Sequence, residues 1–322
     1  MSKKKIAIVG GGIVGLAIAY KIQKKINNSK IYLFEKENEI GLHQSGRNSG
    51  VLHCGLAYKP GSLKAKLAVS GINQMTEFCI KNNIPHDICG KVVIATKESE
   101  SKTLNNIAVN GKLNGLNDLK FLSDKELKLR EPHVVSKKSL LVPQEGIVDF
   151  KSVMNNLSLK IQEKGGEIFL NTKIISSKND GNQIKLFSSK RDWNVDLVVN
   201  CAGLFSDRNY QNLTGQKRPL RIIPFRGEYM ILKPEFKNIF NHLVYPVPDP
   251  LYPFLGIHFT RMINGDREFG PNAVFALKRE GYKNTDISLV DTLDSLSHIG
   301  LLKFISNNFK FCMSELGSSF FQ

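Results

Sequence analysis

Three glycines near the start of the chain have the spacing that lets a backbone hold a pyrophosphate. Gly10, Gly12 and Gly15 follow an apolar run at residues 6–9 and open a segment with helical spacing. A side chain at the first two positions would keep phosphates from the amides of the helix N-terminus, and the third must let helix and strand pack closely. The chemistry that these residues indicate is the binding of a dinucleotide.

A carboxylate in the expected place strengthens this interpretation. Glu35 ends a second apolar run at residues 31–34, twenty residues after Gly15. There it can accept hydrogen bonds from both ribose hydroxyls, whereas a 2′-phosphate would be repelled. The first fifty residues therefore predict a βαβ unit that binds a dinucleotide other than NADP.

The composition favours a globular protein of two closely connected domains. The chain has 322 residues, of which 41% are hydrophobic, so it can bury a sizeable core. Its five cysteines form no Cys-x-x-Cys pair, which argues against a structural zinc site and a disulfide framework. We expect no metal and a reducing compartment.

The net charge of +16 leaves more than one class of partner open. The lysines are scattered and no aromatic stacking pattern accompanies them, so nucleic-acid binding ranks low. A lysine-rich solvated surface is the first interpretation, and peripheral attraction to anionic lipid is the alternative. The apolar run after Lys3–Lys5 is broken by the glycines, so we expect no export signal and no membrane span. The expected location is the cytoplasm, with the inner face of the cell membrane as the alternative.

The elements that must position these groups are indicated by local patterns. Apolar residues at helical spacing predict a helix over 62–82, and residues 91–95 and 99–114 predict a buried strand and a helix. Ser123 with Glu126 forms a capping box, and Asp149 is a candidate N-cap for a helix that ends near Lys164. Residues 167–175 predict a strand, a turn and a strand.

Two later stretches carry the rest of the architecture. Residues 196–200 predict a buried parallel strand that ends in Cys201, Ala202 and Gly203, where small residues let a cofactor approach the backbone. Residues 221–223, 228–232 and 255–259 predict strands of an antiparallel sheet. The fold class is therefore α/β (α+β), with a Rossmann-like dinucleotide-binding domain interleaved with an antiparallel-sheet substrate domain.

The expected domain bounds follow from this interleaving. Residues 1–84 and 142–215 are assigned to the dinucleotide-binding domain, and residues 85–141 and 216–290 to the substrate domain. Residues 291–322 are expected to form a partial helical C-terminal segment.

Longer blocks of sequence resemble a known family. They are similar to the FAD-dependent L-2-hydroxyglutarate oxidase/dehydrogenase family, which belongs to the D-amino-acid-oxidase-like flavoproteins. The resemblance runs from residue 4 to about residue 300. Its blocks are the glycine fingerprint, His43–Gly55, Tyr58–Lys64, Pro224–Tyr229, Tyr245–Pro250, His258–Met262, Gly270–Val274 and Lys278–Tyr282.

The resemblance implies that the cofactor is FAD rather than NAD. It places Glu35 on the adenosine ribose and the loop at residues 43–50 around the pyrophosphate and flavin. Short polar side chains in a glycine-flanked loop suit a pyrophosphate, although any polar turn offers them. The residues expected to bind the cofactor are Gly10, Gly12, Ile13, Val14, Gly15, Glu35, Lys36, Ser45, Asn48, Ser49, Lys173, Ala202 and Gly203.

The resemblance also implies the reaction, the oxidation of L-2-hydroxyglutarate to 2-oxoglutarate with hydride transfer from the α-carbon to flavin N5. A dicarboxylate needs cationic groups, and the planar fork of arginine binds carboxylates best. Arg226, Arg261 and Arg279 are the ranked candidates, with Tyr245 as a further substrate contact. Each arginine has a structural alternative, as part of a turn, a solvated strand or a surface segment.

A histidine is favoured as the proton acceptor because its pKa lies near working pH. His53, in the polar loop, and His258, in an apolar strand, are the candidates for the catalytic role. A histidine in an apolar strand is more often a core residue, so His53 ranks first. The resemblance does not decide whether FAD is attached covalently.

The chain differs from the family at its end. Residues 314–322 are predicted to belong to a helical linker, whereas family members continue for several dozen residues that close over the flavin. We therefore keep open a noncatalytic remnant, and an amine or amino-acid oxidase of the same fold. The sequence fixes neither the electron acceptor, oxygen or a quinone, nor the oligomeric state.

Overall fold

The computed structural model describes residues 3–248 and 256–320. The chain divides into two compact units, each built from separate segments. The first unit comprises Met1–Asn48, Phe150–Arg226 and Phe275–Ser314. The second comprises Ser49–Asp149, Gly227–Val274 and Glu315–Gln322.

Helices and strands alternate through most of the described chain. The helices are α1 (Ile13–Lys25), α2 (Leu63–Lys81), α3 (Ser101–Leu113), α4 (Asp124–Arg130), α5 (Phe150–Glu163), α6 (Ser206–Thr214), α7 (Leu289–Leu296), α8 (Ile299–Asn307) and α9 (Phe309–Phe320). The strands are β1 (Lys4–Val9), β2 (Ser29–Phe34), β3 (Val51–Leu52), β4 (His86–Asp87), β5 (Lys91–Ala95), β6 (Lys120–Leu122), β7 (Lys138–Val142), β8 (Gly146–Val148), β9 (Glu167–Phe169), β10 (Ile174–Asn179), β11 (Ile184–Ser188), β12 (Trp193–Val195), β13 (Leu197–Asn200), β14 (Phe225–Ile231), β15 (Leu243–Pro246), β16 (His258–Arg261) and β17 (Arg267–Phe275).

A parallel sheet forms the centre of the first unit. Its strand order is β13-β1-β2-β9, and the pairings are parallel. Ile6 and Ile8 of β1 are completely buried, as expected for a strand covered on both faces. Helix α1 lies against α5. The arrangement is the βαβ unit that the glycine fingerprint predicts, extended by two further parallel strands.

A small antiparallel sheet covers the parallel sheet within the same unit. Its order is β10-β11-β12, and its residues share one apolar cluster with β1 and β2. Aromatic rings fill this layer: the ring centroids of Phe169 and Trp193 are 4.4 Å apart, and those of Phe34 and Phe169 are 5.4 Å apart. Offset and tilted contacts of this kind stabilise beyond the area that they bury.

The second unit is built on a larger mixed sheet with the order β14-β17-β16-β15-β5-β7-β6. The pairs β15 and β16, β16 and β17, β5 and β7, and β6 and β7 are antiparallel, and the pair of β15 and β5 is parallel. In β17, buried residues alternate with half-buried ones. A second sheet of the unit has the order β3-β8-β4. Antiparallel pairing therefore dominates the second unit, as the strand-rich sequence predicts.

Most elements indicated by local patterns are present. The capping box at Ser123 and Glu126 is formed, and β13 pairs in parallel with β1. The predicted strand at Arg221–Ile223 is wrong. Arg221 instead donates to the carbonyl oxygen of Asp294, and the Ile222 N–H donates to the carboxylate of Asp207. The backbone N–H of Ile222 is therefore paired with a side chain rather than with a neighbouring strand.

The bounds of the two units differ from the expected domain bounds. Residues 49–84 and 142–149 lie in the second unit, and residues 216–226 and 275–314 in the first. The local cause is pairing: β3 pairs with β8, and the Asn114 side chain donates to the carbonyl oxygens of Gly55 and Tyr58. These contacts fasten the segment after residue 48 to the second unit.

Residues 249–255 lie outside the described ranges, so Asp249 and Pro250 of the Tyr245–Pro250 block and the start of the strand expected at 255–259 do too. Among the helices that are described, none combines the length and apolar character that crossing a membrane requires.

Candidate functional site

A cavity of about 740 Å³ opens in the first unit beside the parallel sheet. The last residues of three neighbouring strands line it: Val9 of β1, Phe34 of β2 and Asn200 of β13. Ligands of open parallel sheets bind at the carboxyl ends of the strands. The cavity therefore lies where the glycine fingerprint places a dinucleotide.

Two glycines of the fingerprint, Gly10 and Gly15, are required by close backbone approach. Gly10 has φ +115°, and a Cβ there would lie 2.3 Å from the carbonyl oxygen of Cys201. A Cβ at Gly15 would lie 2.0 Å from the carbonyl oxygen of Gly10, so this glycine lets α1 pack on the turn. Gly12 precedes α1, and a Cβ there would lie 3.0 Å from Oγ of Ser45. The N-terminus of α1 thus stays open to a bound anion.

The carboxylate of Glu35 is fixed by backbone donors at the edge of the cavity. The Gly11 N–H donates to its Oε2 at 2.7 Å and the Glu37 N–H to its Oε1 at 3.0 Å. Glu35 is buried and lines the cavity. A carboxylate oxygen accepts more than one hydrogen bond, so Glu35 keeps the capacity to accept from ribose hydroxyls.

The loop at residues 41–48 forms another wall of the cavity. Oγ of Ser45 accepts the N–H of Ile13 at 3.0 Å, which ties the loop to the start of α1. The side-chain amide of Asn48 donates to the carbonyl oxygens of Gln44 and Ser45. The loop is therefore held next to the helix N-terminus, where a pyrophosphate would lie.

A charged cluster joins this loop to the segment that follows β17. Nζ of Lys36 ion-pairs with Glu37 and, at 2.7 Å, with Glu280. Nε2 of His43 lies 3.0 Å from both carboxylates, and its Nδ1 lies 2.7 Å from the hydroxyl of Tyr282. Hydrogen bonds to Glu280 and Glu37 raise the pKa of His43 against the effect of burial.

Glu37, His43 and Glu280 come close enough to be considered as metal ligands. Lys36 already supplies their cation, and its pKa is raised by Glu280 and Glu37 although burial acts in the opposite direction. Lys36 therefore offsets part of the negative charge of the two carboxylates, and the raised pKa of His43 acts in the same direction.

Most of the residues expected to bind the cofactor line this one cavity. Gly15 and Ser49 are not among its lining residues; Gly15 packs inside the turn, and Ser49 belongs to the second unit. Contact with FAD stays a prediction for each of the others. Those that line the cavity are Gly10, Gly12, Ile13, Val14, Glu35, Lys36, Ser45, Asn48, Lys173, Ala202 and Gly203.

The sequence analysis missed several lining residues. Leu204 and Phe205 follow the predicted Ala202–Gly203 contact directly, so that contact could have been extended. Phe150 comes from a distant segment. Glu280 lies in the Lys278–Tyr282 block of the resemblance, which could have suggested it. The cavity fits FAD, because its glycine turn leaves room at a helix N-terminus and a fixed carboxylate stands beside it.

In the second unit, His53 and His258 have different surroundings. Nδ1 of His53 lies 3.1 Å from Oε2 of Glu145, and the side chain is 39% exposed. His258 is 2% exposed, and its Nδ1 donates to the carbonyl oxygen of Gly256 at 2.9 Å. Burial lowers the pKa of His258 to about 4, so its imidazole is neutral at neutral pH. Both histidines stay candidates, and exposure favours His53.

Tyr245 lies between these groups in the same unit. Its ring stacks on His258 with centroids 4.0 Å apart and meets His53 edge-on at 6.1 Å. Burial raises its pKa, so the phenol keeps its proton. The structure thus brings three of the predicted residues of the second unit, Tyr245, His53 and His258, into one cluster.

A buried glutamate that the sequence analysis missed lies on the same sheet. Glu268 pairs in register with Thr260, and within residues 3–248 and 256–320 its Oε1 has no hydrogen-bond partner. Burial raises the pKa of Glu268 to about 7. A buried acid in a strand carries no sequence signal that separates it from an exposed one.

The three arginines are in different environments. Arg279 is 3% exposed; its guanidinium forms two hydrogen bonds with Asp207 and a third, at 3.2 Å, with Asp294. This pairing argues against Arg279 as a substrate contact. Arg226 is half-buried and donates to the carbonyl oxygen of Lys283 and to Asn284.

Arg261 forms an ion pair of 2.9 Å with Asp87 in the second unit, and its side chain is partly exposed. A surface pair of this kind contributes little to stability. Of the three arginines, Arg226 and Arg261 remain candidates for a substrate carboxylate.

Comparisons with known proteins identify the family of the chain. The sequence profile described as "FAD dependent oxidoreductase" (DAO) matches residues 5–301. An L-2-hydroxyglutarate dehydrogenase from Indibacter alkaliphilus is 44% identical over 316 residues, which cover 98% of this chain and 79% of that protein. A mitochondrial L-2-hydroxyglutarate dehydrogenase from Caenorhabditis briggsae is 42% identical over 322 residues, 98% of this chain and 74% of that protein.

Among solved structures, the L-α-glycerophosphate oxidase of Mycoplasma pneumoniae with FAD bound superposes with a TM-score of 0.77 at 24% identity. The match covers 89% of this chain and 76% of that one, and it shows the fold alone. The family profile spans nearly the whole chain, including every residue of the glycine turn. The chain therefore belongs to the family of FAD-dependent oxidoreductases.

Proposed function

We propose that this chain oxidises L-2-hydroxyglutarate to 2-oxoglutarate with FAD as its cofactor. The observation that carries the substrate is the 44% identity over 98% of the chain to a protein named L-2-hydroxyglutarate dehydrogenase. The cavity at the glycine turn supports the cofactor independently, because its shape and donors derive from this chain alone.

Residues of the first unit would hold FAD. The amides at the start of α1 bind the pyrophosphate, and Glu35 accepts hydrogen bonds from the adenosine ribose. Ser45 and Asn48 present the polar wall of the loop, and Lys173 supplies a positive charge at the rim. When bound, FAD supplies the acceptor for the hydride that leaves the α-carbon of the substrate.

Residues of the chain perform the remaining tasks. Arg226 and Arg261 are the proposed partners of the substrate carboxylates, since arginine binds carboxylates bidentately. His53 takes the hydroxyl proton, because one nitrogen of a neutral imidazole has a lone pair that can accept it. Tyr245, with its protonated phenol, packs beside His53 and orients the bound acid.

The test is flavin reduction in the absence of oxygen. The purified chain, loaded with FAD, is mixed anaerobically with L-2-hydroxyglutarate while the oxidised flavin band near ~450 nm is followed. Bleaching by L-2-hydroxyglutarate, with glycine, sarcosine and D-2-hydroxyglutarate leaving the band unchanged, is the expected result. Bleaching by glycine or sarcosine would instead support an amine or amino-acid oxidase. Bound flavin that no compound bleaches would support a noncatalytic protein.

The electron acceptor and the membrane surface form a finer part of the proposal. We expect oxygen or a quinone to reoxidise the flavin. The excess of basic residues gives a net charge of +16, which would attract the chain to anionic lipid. Sedimentation with phosphatidylglycerol vesicles that decreases with salt supports this attachment, and no sedimentation at low salt rejects it.

A further inference from the structure

The second unit contains a buried ion pair outside the residues that the sequence singled out. Nζ of Lys91, in the first position of β5, lies 2.8 Å from Oε1 of Glu145, in the turn between β7 and β8. The side chains are 8% and 1% exposed. Such a pair is retained only where its geometry is good and its other hydrogen-bonding capacity is used.

The remaining acceptor positions of Glu145 are used by the segment that contains His53. Oε2 lies 3.1 Å from Nδ1 of His53, and Oε1 accepts the N–H of Cys54 at 3.2 Å. The Cys54 thiol also lies 3.2 Å from Oε1. One buried carboxylate therefore fixes the backbone and the imidazole of two successive residues.

The charge state of Glu145 decides which nitrogen of His53 carries the proton. Burial acts to raise the pKa of Glu145, but Lys91 and His53 together hold it well below its usual range. An ionised carboxylate can only accept hydrogen bonds, so Nδ1 of His53 must be the donor. In the neutral imidazole, Nε2 then carries the free lone pair.

The surroundings of His53 leave that nitrogen accessible. Within residues 3–248 and 256–320, no residue forms a hydrogen bond with Nε2, and the side chain is 39% exposed. The titratable groups that face the imidazole are Glu145, Lys91, Tyr245 and His258. The last two are neutral at neutral pH, because the pKa of Tyr245 is raised and that of His258 lowered, and Lys91 balances the charge of Glu145.

We infer that Glu145 and Lys91 act as a positioning pair that keeps the proton of His53 on Nδ1 and turns Nε2 toward the substrate hydroxyl. The inference rests on the proposed function, since it assigns the partner of the proposed proton acceptor. Glu145 orients the ring and fixes its tautomer. Lys91 keeps Glu145 ionised and supplies its counter-charge, so His53 can stay neutral.

Nuclear magnetic resonance of the FAD-loaded protein tests the tautomer without any activity. In ¹⁵N-histidine-labelled protein, with His53 assigned by its absence in His53→Gln, neutral His53 should carry its proton on Nδ1. In Glu145→Gln, whose amide can donate to the ring, the proton should move to Nε2. Neutral His53 with its proton on Nε2 in the unaltered protein would overturn the inference, whatever the substrate proves to be.

Kinetics of Glu145→Gln and Lys91→Met test the consequence. Glu145→Gln should lower kcat by about 10²- to 10⁴-fold, the range of general acid–base catalysis, with KM nearly unchanged. Lys91→Met should move the acid limb of the pH profile upward, because the uncompensated Glu145 favours the imidazolium. Unchanged kcat and pH profile in both variants would overturn the inference, provided that the unaltered protein oxidises L-2-hydroxyglutarate.

A second buried glutamate–histidine pair of the same unit provides a matched control. Glu131 is fully buried, and its Oε1 lies 2.6 Å from Nδ1 of His242. Glu131→Gln should destabilise the fold about as much as Glu145→Gln and leave the pH profile unchanged. If L-2-hydroxyglutarate does not reduce the flavin of the unaltered protein but His53 carries its proton on Nδ1, the proposed function is rejected and the positioning role of Glu145 is not.

Discussion

Arg279 shows that the surroundings of a charged side chain decide its role. It faces Asp207, which is completely buried, and both belong to a cluster with Arg218 and Asp294. Burial acts to raise the pKa of Asp207, but Arg279 lowers it below its usual range. The guanidinium therefore serves to neutralise a buried acid.

Arg279→Met should accordingly destabilise the fold, by at most about 3–5 kcal/mol, because a buried carboxylate loses the guanidinium that donates two hydrogen bonds to it. Arg218, at 3.3 Å from Asp207, offsets part of this loss. Urea unfolding followed by circular dichroism measures the loss. Arg191→Met, which removes an exposed arginine stacked on Trp193, should cost less than about 1 kcal/mol. A stable Arg279→Met with a raised KM for substrate would return Arg279 to the substrate site.

His258 makes the fold sensitive to acid. Its pKa is lowered by burial from 6.5 to about 4, so between these values the unfolded chain binds a proton that the folded chain does not. Stability should therefore be lost as the pH falls from about 6.5 to 4, by roughly 3 kcal/mol for this group. In His258→Gln, unfolding free energies measured from pH 7 to pH 4 should fall less steeply; an identical slope contradicts the assignment.

At the scale of elements, the first glycine of the turn is expected to be the least tolerant position. Gly10 combines a positive φ with a Cβ distance of 2.3 Å to a backbone oxygen of the neighbouring β13 end. Gly10→Ala should therefore cost at least about 2 kcal/mol of stability.

Gly71 is the matched control, since it lies in α2 with no atom within 4 Å of an added Cβ. Gly71→Ala should stabilise the fold by about 0.5–1 kcal/mol. Thermal unfolding of both variants measures the difference. Equal effects at the two glycines would contradict the close approach of β1 and β13.

Elements defined by nearby residues could be predicted from the sequence. The capping box of α4 and the apolar spacing of α2 depend on residues within a few turns of one another. The strand expected at 221–223 is wrong because the carboxylate of Asp207, on another element, accepts the backbone N–H of Ile222.

The candidate site divides in the same way. Gly10, Gly12 and Glu35 could be found because a pyrophosphate and a ribose impose fixed spacings on one βαβ unit. Glu145 could not be found in this way, because the pairing of β3 with β8 brings the turn that contains Glu145 next to His53. The position of a side chain that acts through another residue depends on the tertiary fold, so no sequence motif reveals it.

At the scale of the whole molecule, cofactor binding and stability are linked. A ligand that binds only the folded chain stabilises it by about 2.7 kcal/mol at a concentration of 100 Kd. The temperature midpoint of unfolding should therefore rise with FAD concentration in scanning calorimetry.

Gly12→Val separates binding from folding. Gly12 has an extended backbone, φ −76° and ψ 175°, that valine adopts, but its side chain would cover the start of α1. The variant should fold and show little response to FAD. A rise equal to that of the unaltered chain would place the pyrophosphate elsewhere.

The ion pair of Asp207 and Arg279 also sets an order of events during synthesis on the ribosome. The two residues are 72 positions apart, so at about 5–20 residues per second the aspartate waits roughly 4 to 14 s for its arginine. Until Arg279 has been synthesised, Arg218 is the arginine of this cluster available to Asp207, and the carboxylate lacks the two hydrogen bonds that Arg279 donates. We therefore expect the packing around Asp207 to be completed only after residue 279 has been added to the growing chain.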